Sequence, residues 1–112
     1  MIQLYLKPNC SICRRARALL RENGVAFEEV DLNKGISETE IDKLIGSRDY
    51  RQFLNTRNEL YRERGMKQNP PTRAEALRLM AQHPNLIKRP ILVRGGRIVL
   101  GCDEEAIRTL GE

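Results

Sequence analysis

The chain has no tryptophan, one histidine and three cysteines in 112 residues, and only 4% of it is aromatic. Without a stock of large rings the core has to be aliphatic, built from Leu, Ile, Val and Ala. A single histidine and three cysteines leave few soft ligands, so a four-ligand zinc site is thinly supplied. No stretch approaches the roughly 18 apolar residues that a membrane helix requires. The opening MIQLYLKPNC has neither a basic start nor a long apolar run, so no signal peptide is expected. Also missing are a basic tail, an aromatic-rich sheet motif and a helix-turn-helix pattern, which argues against direct nucleic-acid binding. The expected compartment is the cytoplasm. Thiols are kept reduced there, so a close cysteine pair points to catalysis, sensing or metal binding before structural bridging.

What is present fits one domain over residues 1–112, long enough to bury a core without disulfides or zinc. The net charge is +5. It is met either by an ordinary solvated basic surface or by an anionic small substrate or acidic partner.

Ile2, Leu4 and Leu6 alternate with Gln3, Tyr5 and Lys7, which predicts a first strand. After Pro8-Asn9 a helix is predicted from about Ser11 to Asn23, with Ile12, Ala16, Leu19 and Leu20 on its apolar face and Gly24 as its stop. A second strand is expected over 25–32, completing a βαβ unit with parallel pairing. A helical insert, about 37–82, follows. Ser37-Glu38-Thr39-Glu40 and Thr72-Arg73-Ala74-Glu75 are capping boxes. The first opens a helix carrying Ile41, Leu44 and Ile45. A middle stretch, interrupted near Asn55-Thr56, brings Phe53, Leu54, Leu60 and Tyr61 as core candidates. The second box opens a helix carrying Leu77, Met80 and Ala81. Ile91-Leu92-Val93 and Ile98-Val99-Leu100 flank a Gly95-Gly96 hairpin signal, and Asp103 is placed to cap a last helix. The order predicts an α/β protein with a mixed sheet of three to four strands flanked by helices.

The informative stretch is KPNCSICR, with Cys10 and Cys13 at a strand-to-helix turn. Zinc, an inert buried pair and redox chemistry all have to be weighed. Cys102 and His83 are the only further soft ligands, and their spacing matches no familiar zinc site. A strand end surfaces, which disfavours an inert pair. Redox chemistry has a physical basis. The N–H groups and dipole at a helix N-terminus favour an anion and lower a thiol pKa, and the thiolate is the reactive species. Arg14 and Arg15 add positive charge. Cys13, one turn on, is placed to resolve an adduct on Cys10. Cys-x-x-Cys beside a βαβ pattern resembles thioredoxin-like proteins. That resemblance implies a cis bond at Arg89-Pro90, just before the third strand. His83-Pro84 reads as a helix end, and Cys102 as a small buried residue.

Asn9-Cys10-x-x-Cys13-Arg14, Asn55-Thr56-Arg57 and the run from His83 to Val93 (HPNLIKRPILV) together resemble the glutaredoxin-like arsenate reductase and Spx family, nearly end to end. The resemblance implies a thioredoxin-like fold and a thiol–disulfide oxidoreductase. Cys10 would attack arsenate or a related small substrate, with Cys13 resolving. Asn9, Arg14, Arg57 and Arg89 would surround the anion, whose oxygens suit paired guanidinium N–H donors. It implies no bound cofactor or metal, and reduction by glutathione with glutaredoxin or by thioredoxin. The family's glutaredoxin-linked enzymes have serine where Cys13 stands, and a third anion-binding arginine beyond the hairpin. Here Arg94 or Arg97 is the nearest counterpart. The Cys-x-x-Cys pair matches the Spx side, which implies as an alternative a regulator of RNA polymerase switched by a Cys10–Cys13 disulfide.

Overall fold

The computed structural model describes all residues, 1–112, and divides into two compact units. One joins Met1–Asn33 to Arg89–Glu112. The other is Lys34–Lys88.

The first unit is built on a four-stranded sheet. Strand β1 (Ile2–Leu6) lies between β2 (Phe27–Asp31), to which it is parallel, and β3 (Ile91–Arg94), to which it is antiparallel. Strand β4 (Arg97–Leu100) pairs antiparallel with β3 at the edge. The order β2-β1-β3-β4 is the mixed sheet expected of a thioredoxin-like fold. The alternation in β1 sends Ile2, Leu4 and Leu6 to one face, and all three are fully buried. Helix α1 (Ser11–Glu22) and helix α5 (Glu104–Gly111) supply the matching layer. Cys13, Ala16, Leu19 and Leu20 of α1 meet Ile107 and Leu110 of α5 and Leu92 of β3 in one aliphatic core. Asp103 caps α5, accepting the Ala106 N–H at 3.1 Å. At the hairpin Gly95 takes φ +59°, a left-handed conformation that costs glycine nothing.

Two sequence expectations need correction here. The apolar face of α1 is Cys13, Ala16, Leu19 and Leu20. Ile12 lies outside it, 43% exposed, because the face that meets β1 starts one residue later. Strand β2 is shorter than 25–32, since Val25 still donates to Leu20 O in the turn that leaves α1.

The second unit holds α2 (Glu38–Ile45), α3 (Glu59–Glu63) and α4 (Arg73–Gln82). Both expected N-caps form: Ser37 Oγ accepts from Glu40 N–H and Thr72 Oγ1 from Glu75 N–H. Helices α2 and α4 are tied by Arg73 and Asp42 at 2.8 Å. The buried residues of α4 are Ala76, Leu79 and Met80, whereas Leu77 and Ala81 are only half-buried. The middle stretch is a 3₁₀ turn, Tyr50–Phe53, then a loop and the short α3. Phe53 and Leu54 are buried as expected. Leu60 and Tyr61 remain half-buried, and Met66 supplies core that the sequence pattern did not mark. A five-residue helix cannot express a full apolar period, so its buried face was not readable from spacing.

The corrected α1 face makes a direct prediction. Leu4→Ala should cost about 2–5 kcal/mol in urea unfolding, as large-to-small changes in closed cores do. Ile12→Ala should stay within about 0.5 kcal/mol, as an exposed site does. Equal losses at the two positions would contradict this packing.

Candidate active site

Pro8-Asn9 forms the turn that ends β1, and Cys10 follows as the N-cap of α1. Its N–H donates to Lys7 O at 3.0 Å, and its carbonyl accepts the Arg14 N–H at 3.0 Å. Its side chain makes no cap bond, and the first turn of α1 carries no acidic residue. The sulfur therefore stands beside unopposed amide dipoles, where an anion is favoured. Cys10 is half-exposed, and Cys13 is fully buried.

These surroundings drive the two thiols in opposite directions. Burial by itself would raise Cys10. The nearby Cys13 amide, Cys13 thiol and Ile12 amide favour the charged form of the Cys10 sulfur without closing a cap bond, and Arg89 adds its charge. The net result is a lowered pKa. Cys13 is pushed up to about 11, first by burial, then because it donates to Cys10 and shares the site with that negative charge. The Lys7 N–H, which donates to the Cys13 sulfur, and Arg89 only partly offset this. Cys10 is thus the more acidic of the two thiols, and Cys13, hydrogen-bonded to it, is the less acidic one.

Arg89 enters from the opposite end of the chain. It is half-buried and immediately precedes β3. The Arg89-Pro90 bond is cis, Pro90 is buried, and the Pro90 carbonyl accepts the Gly101 N–H at 2.8 Å. The structure thus brings Cys10, Cys13 and Arg89 together, with Pro90 next in the chain. Asn9, in the turn, and Arg14, on the first turn of α1, flank Cys10 with exposed side chains.

Arg57 lies in the other compact unit, exposed in the loop before α3, with its N–H on Asn55 Oδ1 at 3.1 Å. That loop is tightly held. Asn55 N–H donates to Leu86 O at 2.7 Å, Asn55 Nδ2 to Asn85 O at 3.1 Å, and Lys88 N–H to Phe53 O at 2.8 Å. Two of the distinctive sequence stretches, 53–57 and 85–88, are therefore bonded to one another. The second carries the chain to Arg89.

Other expected residues have structural positions. Arg94 and Arg97 both donate to Leu110 O, at 3.0 and 3.3 Å, and so cover the C-terminal carbonyls of α5. His83 is exposed and ends α4, its N–H on Leu79 O at 2.8 Å. Cys102 is half-buried against the core, and burial raises its thiol. No three His, Cys, Asp or Glu side chains converge as a metal would require. No helix is long and apolar enough to cross a membrane. Sequence reasoning passed over Lys7, whose backbone touches both cysteines. Its place directly after a strand and three residues before Cys10 was the available signal.

A β2-β1-β3-β4 sheet, a cysteine pair at the start of α1 and a cis-proline before β3 define a protein of the thioredoxin-like class. The chain belongs to the ArsC family, whose model matches residues 5–110. Among curated relatives, the global transcriptional regulator Spx 1 of Lactococcus lactis subsp. lactis (strain IL1403) is 31% identical over 114 residues, covering 96% of this chain and 87% of Spx 1. Among solved structures, the arsenate reductase from Vibrio cholerae is similar at TM-score 0.84 and 28% identity, over 97% of this chain and 96% of that one. A crystal structure of a possible arsenate reductase from Streptococcus mutans UA159 is similar at TM-score 0.74 and 34% identity, covering 90% of each chain.

The two thiols should separate in an alkylation titration. A depressed pKa keeps Cys10 as thiolate below the ordinary thiol range, and that fraction is lost as pH falls through the depressed value. A raised pKa keeps Cys13 protonated until pH nears about 11. Iodoacetamide at about pH 7–8 should label Cys10 alone by peptide mass analysis. Arg89→Met should move the Cys10 midpoint upward. Equal labelling of both thiols at neutral pH would refute the assignment.

Proposed function

We propose that this chain is a thiol–disulfide oxidoreductase of the arsenate reductase type, reducing arsenate or a related small substrate through the Cys10 thiolate. The observation that carries the reading is the opposite displacement of the two thiols, with Arg89 beside them. A half-exposed sulfur whose pKa is lowered, with a guanidinium's charge acting on it, is suited to attack an oxyanion that the same guanidinium holds. Arg14 and Asn9, which flank Cys10, complete the anion site in this proposal.

The Cys10 thiolate attacks arsenic(V), an As–S bond forms, and one oxygen leaves as water. Cys13 then loses its proton and attacks the Cys10 sulfur. The S–S bond forms, and arsenic departs with the As–S electron pair as arsenite, arsenic(III). Two cysteine sulfurs have been oxidised. Glutathione with glutaredoxin, or thioredoxin, returns the disulfide to two thiols, so no bound cofactor is required. The reducing cytoplasm is the compartment that suits this cycle.

A second reading has its own support. The relatives include Spx regulators along nearly the whole chain, and both cysteines of the redox pair are present here. In that reading the Cys10–Cys13 disulfide is a switch that alters contact with RNA polymerase, and the +5 charge suits an acidic surface on the partner.

Arsenate-dependent NADPH oxidation, coupled in turn to glutathione–glutaredoxin and to thioredoxin, separates the two. Turnover should be abolished by Cys10→Ser and fall at least about a hundredfold in Cys13→Ser if the internal disulfide is the route. Turnover surviving Cys13→Ser would make an external thiol the resolving group. A readily formed disulfide without turnover in either system would favour the switch, to be tested by polymerase binding in both redox states.

A further inference from the structure

Lys7 is held against both reactive cysteines by its own backbone. Its carbonyl accepts the Cys10 N–H at 3.0 Å, and its N–H donates to the Cys13 sulfur. The side chain leaves just past the end of β1 and is half-buried. The charges that act on it are those of Arg89 ahead of β3, Asp31 at the end of β2, and Cys10 and Cys13 at the start of α1. The pairing of Leu6 with Asp31 brings that carboxylate alongside. Burial and then Arg89 push the Lys7 ammonium below the ordinary lysine value, against Asp31 and the two cysteines. Such an ammonium is a stronger acid than a solvated lysine.

The reduction described above requires two proton movements. Hydroxide leaves arsenic(V) readily only if it takes up a proton. Cys13, with a pKa of about 11, has to lose one before it attacks. Arg89 cannot serve, because a guanidinium does not deprotonate in proteins. The half-exposed Cys10 thiolate is consumed by its own attack.

Resting on the arsenate reading, we propose that Lys7 carries the proton in both steps. The ammonium gives its proton to the departing hydroxide as the As–S bond forms, so that water leaves. The resulting amine takes the Cys13 proton as the S–S bond forms and arsenite leaves with the As–S pair. Lys7 ends the cycle protonated, as it began. Transfer runs directly or through one water, which is within the reach of general acid–base groups. Asp31 acts as a positioning residue, holding the ammonium at the end of the sheet.

The test is single-turnover formation of the Cys10–Cys13 disulfide. Reduced protein is mixed with sodium arsenate, quenched with iodoacetamide and resolved by mass. Lys7→Arg keeps the charge but holds its proton. Lys7→Met removes both. Disulfide formation should slow at least about a hundredfold in each variant, the usual scale of a lost proton donor. The pH midpoint of Cys10 alkylation should stay put in Lys7→Arg and rise in Lys7→Met. A wild-type rate in Lys7→Arg would overturn the proton-carrier role, whatever Lys7→Met does, because charge would then suffice. Thermal melting identifies a variant that fails to fold, and the Arg substitution, which preserves length and charge, keeps the test decisive. Wild-type protein that forms no disulfide with arsenate would instead overturn the arsenate reading and this proposal with it. The alkylation midpoints would still report the field of Lys7 on Cys10.

Discussion

Two sulfurs one helical turn apart experience opposite environments, and the chemistry of this fold depends on that contrast. Cys10 sits at the edge of α1, where amide donors and a guanidinium meet an anion. Cys13 sits in the layer between α1 and the sheet, where a charge would be expensive. Neither thiol would be so divided in an exposed helix. The contrast needs the aliphatic core of β1, α1 and α5 to exclude water from one sulfur while leaving the other at the rim.

That core is modest in means and regular in design. It has no tryptophan and no buried polar or charged side chain. Ile2, Leu4 and Leu6 form a flat aliphatic face that α1 covers with small and branched residues. Charge is kept at the periphery. Arg15 and Glu104 join α1 to α5 at 2.6 Å, yet both are half-exposed, and such pairs contribute little to stability. Arg94 and Arg97 cover the end of α5. An arginine-rich surface therefore does not amount to an arginine-rich site. Of the sequence-predicted arginines, Arg89 is the one whose charge bears on both thiols.

The legible part of the sequence was the part governed by local rules. The alternation in β1, the N-caps at Ser37 and Thr72, the Gly95-Gly96 turn and the Asp103 cap each depend on a few neighbouring residues, and each is found where it was expected. Where burial depends on a partner element, pattern reading slipped. Ile12 and Cys13 are both apolar, and only the angle at which α1 meets β1 decides which is covered. Leu77 and Leu79 pose the same problem on α4. Met66 lies in a turn with no periodicity to mark it.

By itself, then, the sequence determined the element order, the cysteine spacing and the proline ahead of β3, because strand alternation, helix caps and turns are local. The tertiary structure alone decided that Cys13 is fully buried while Cys10 stays half-exposed, that the charge of Arg89 reaches both from 79 residues beyond Cys10, and that the Lys7 backbone touches both. Burial and electric field are set by what is near in space, and spacing along a chain carries neither.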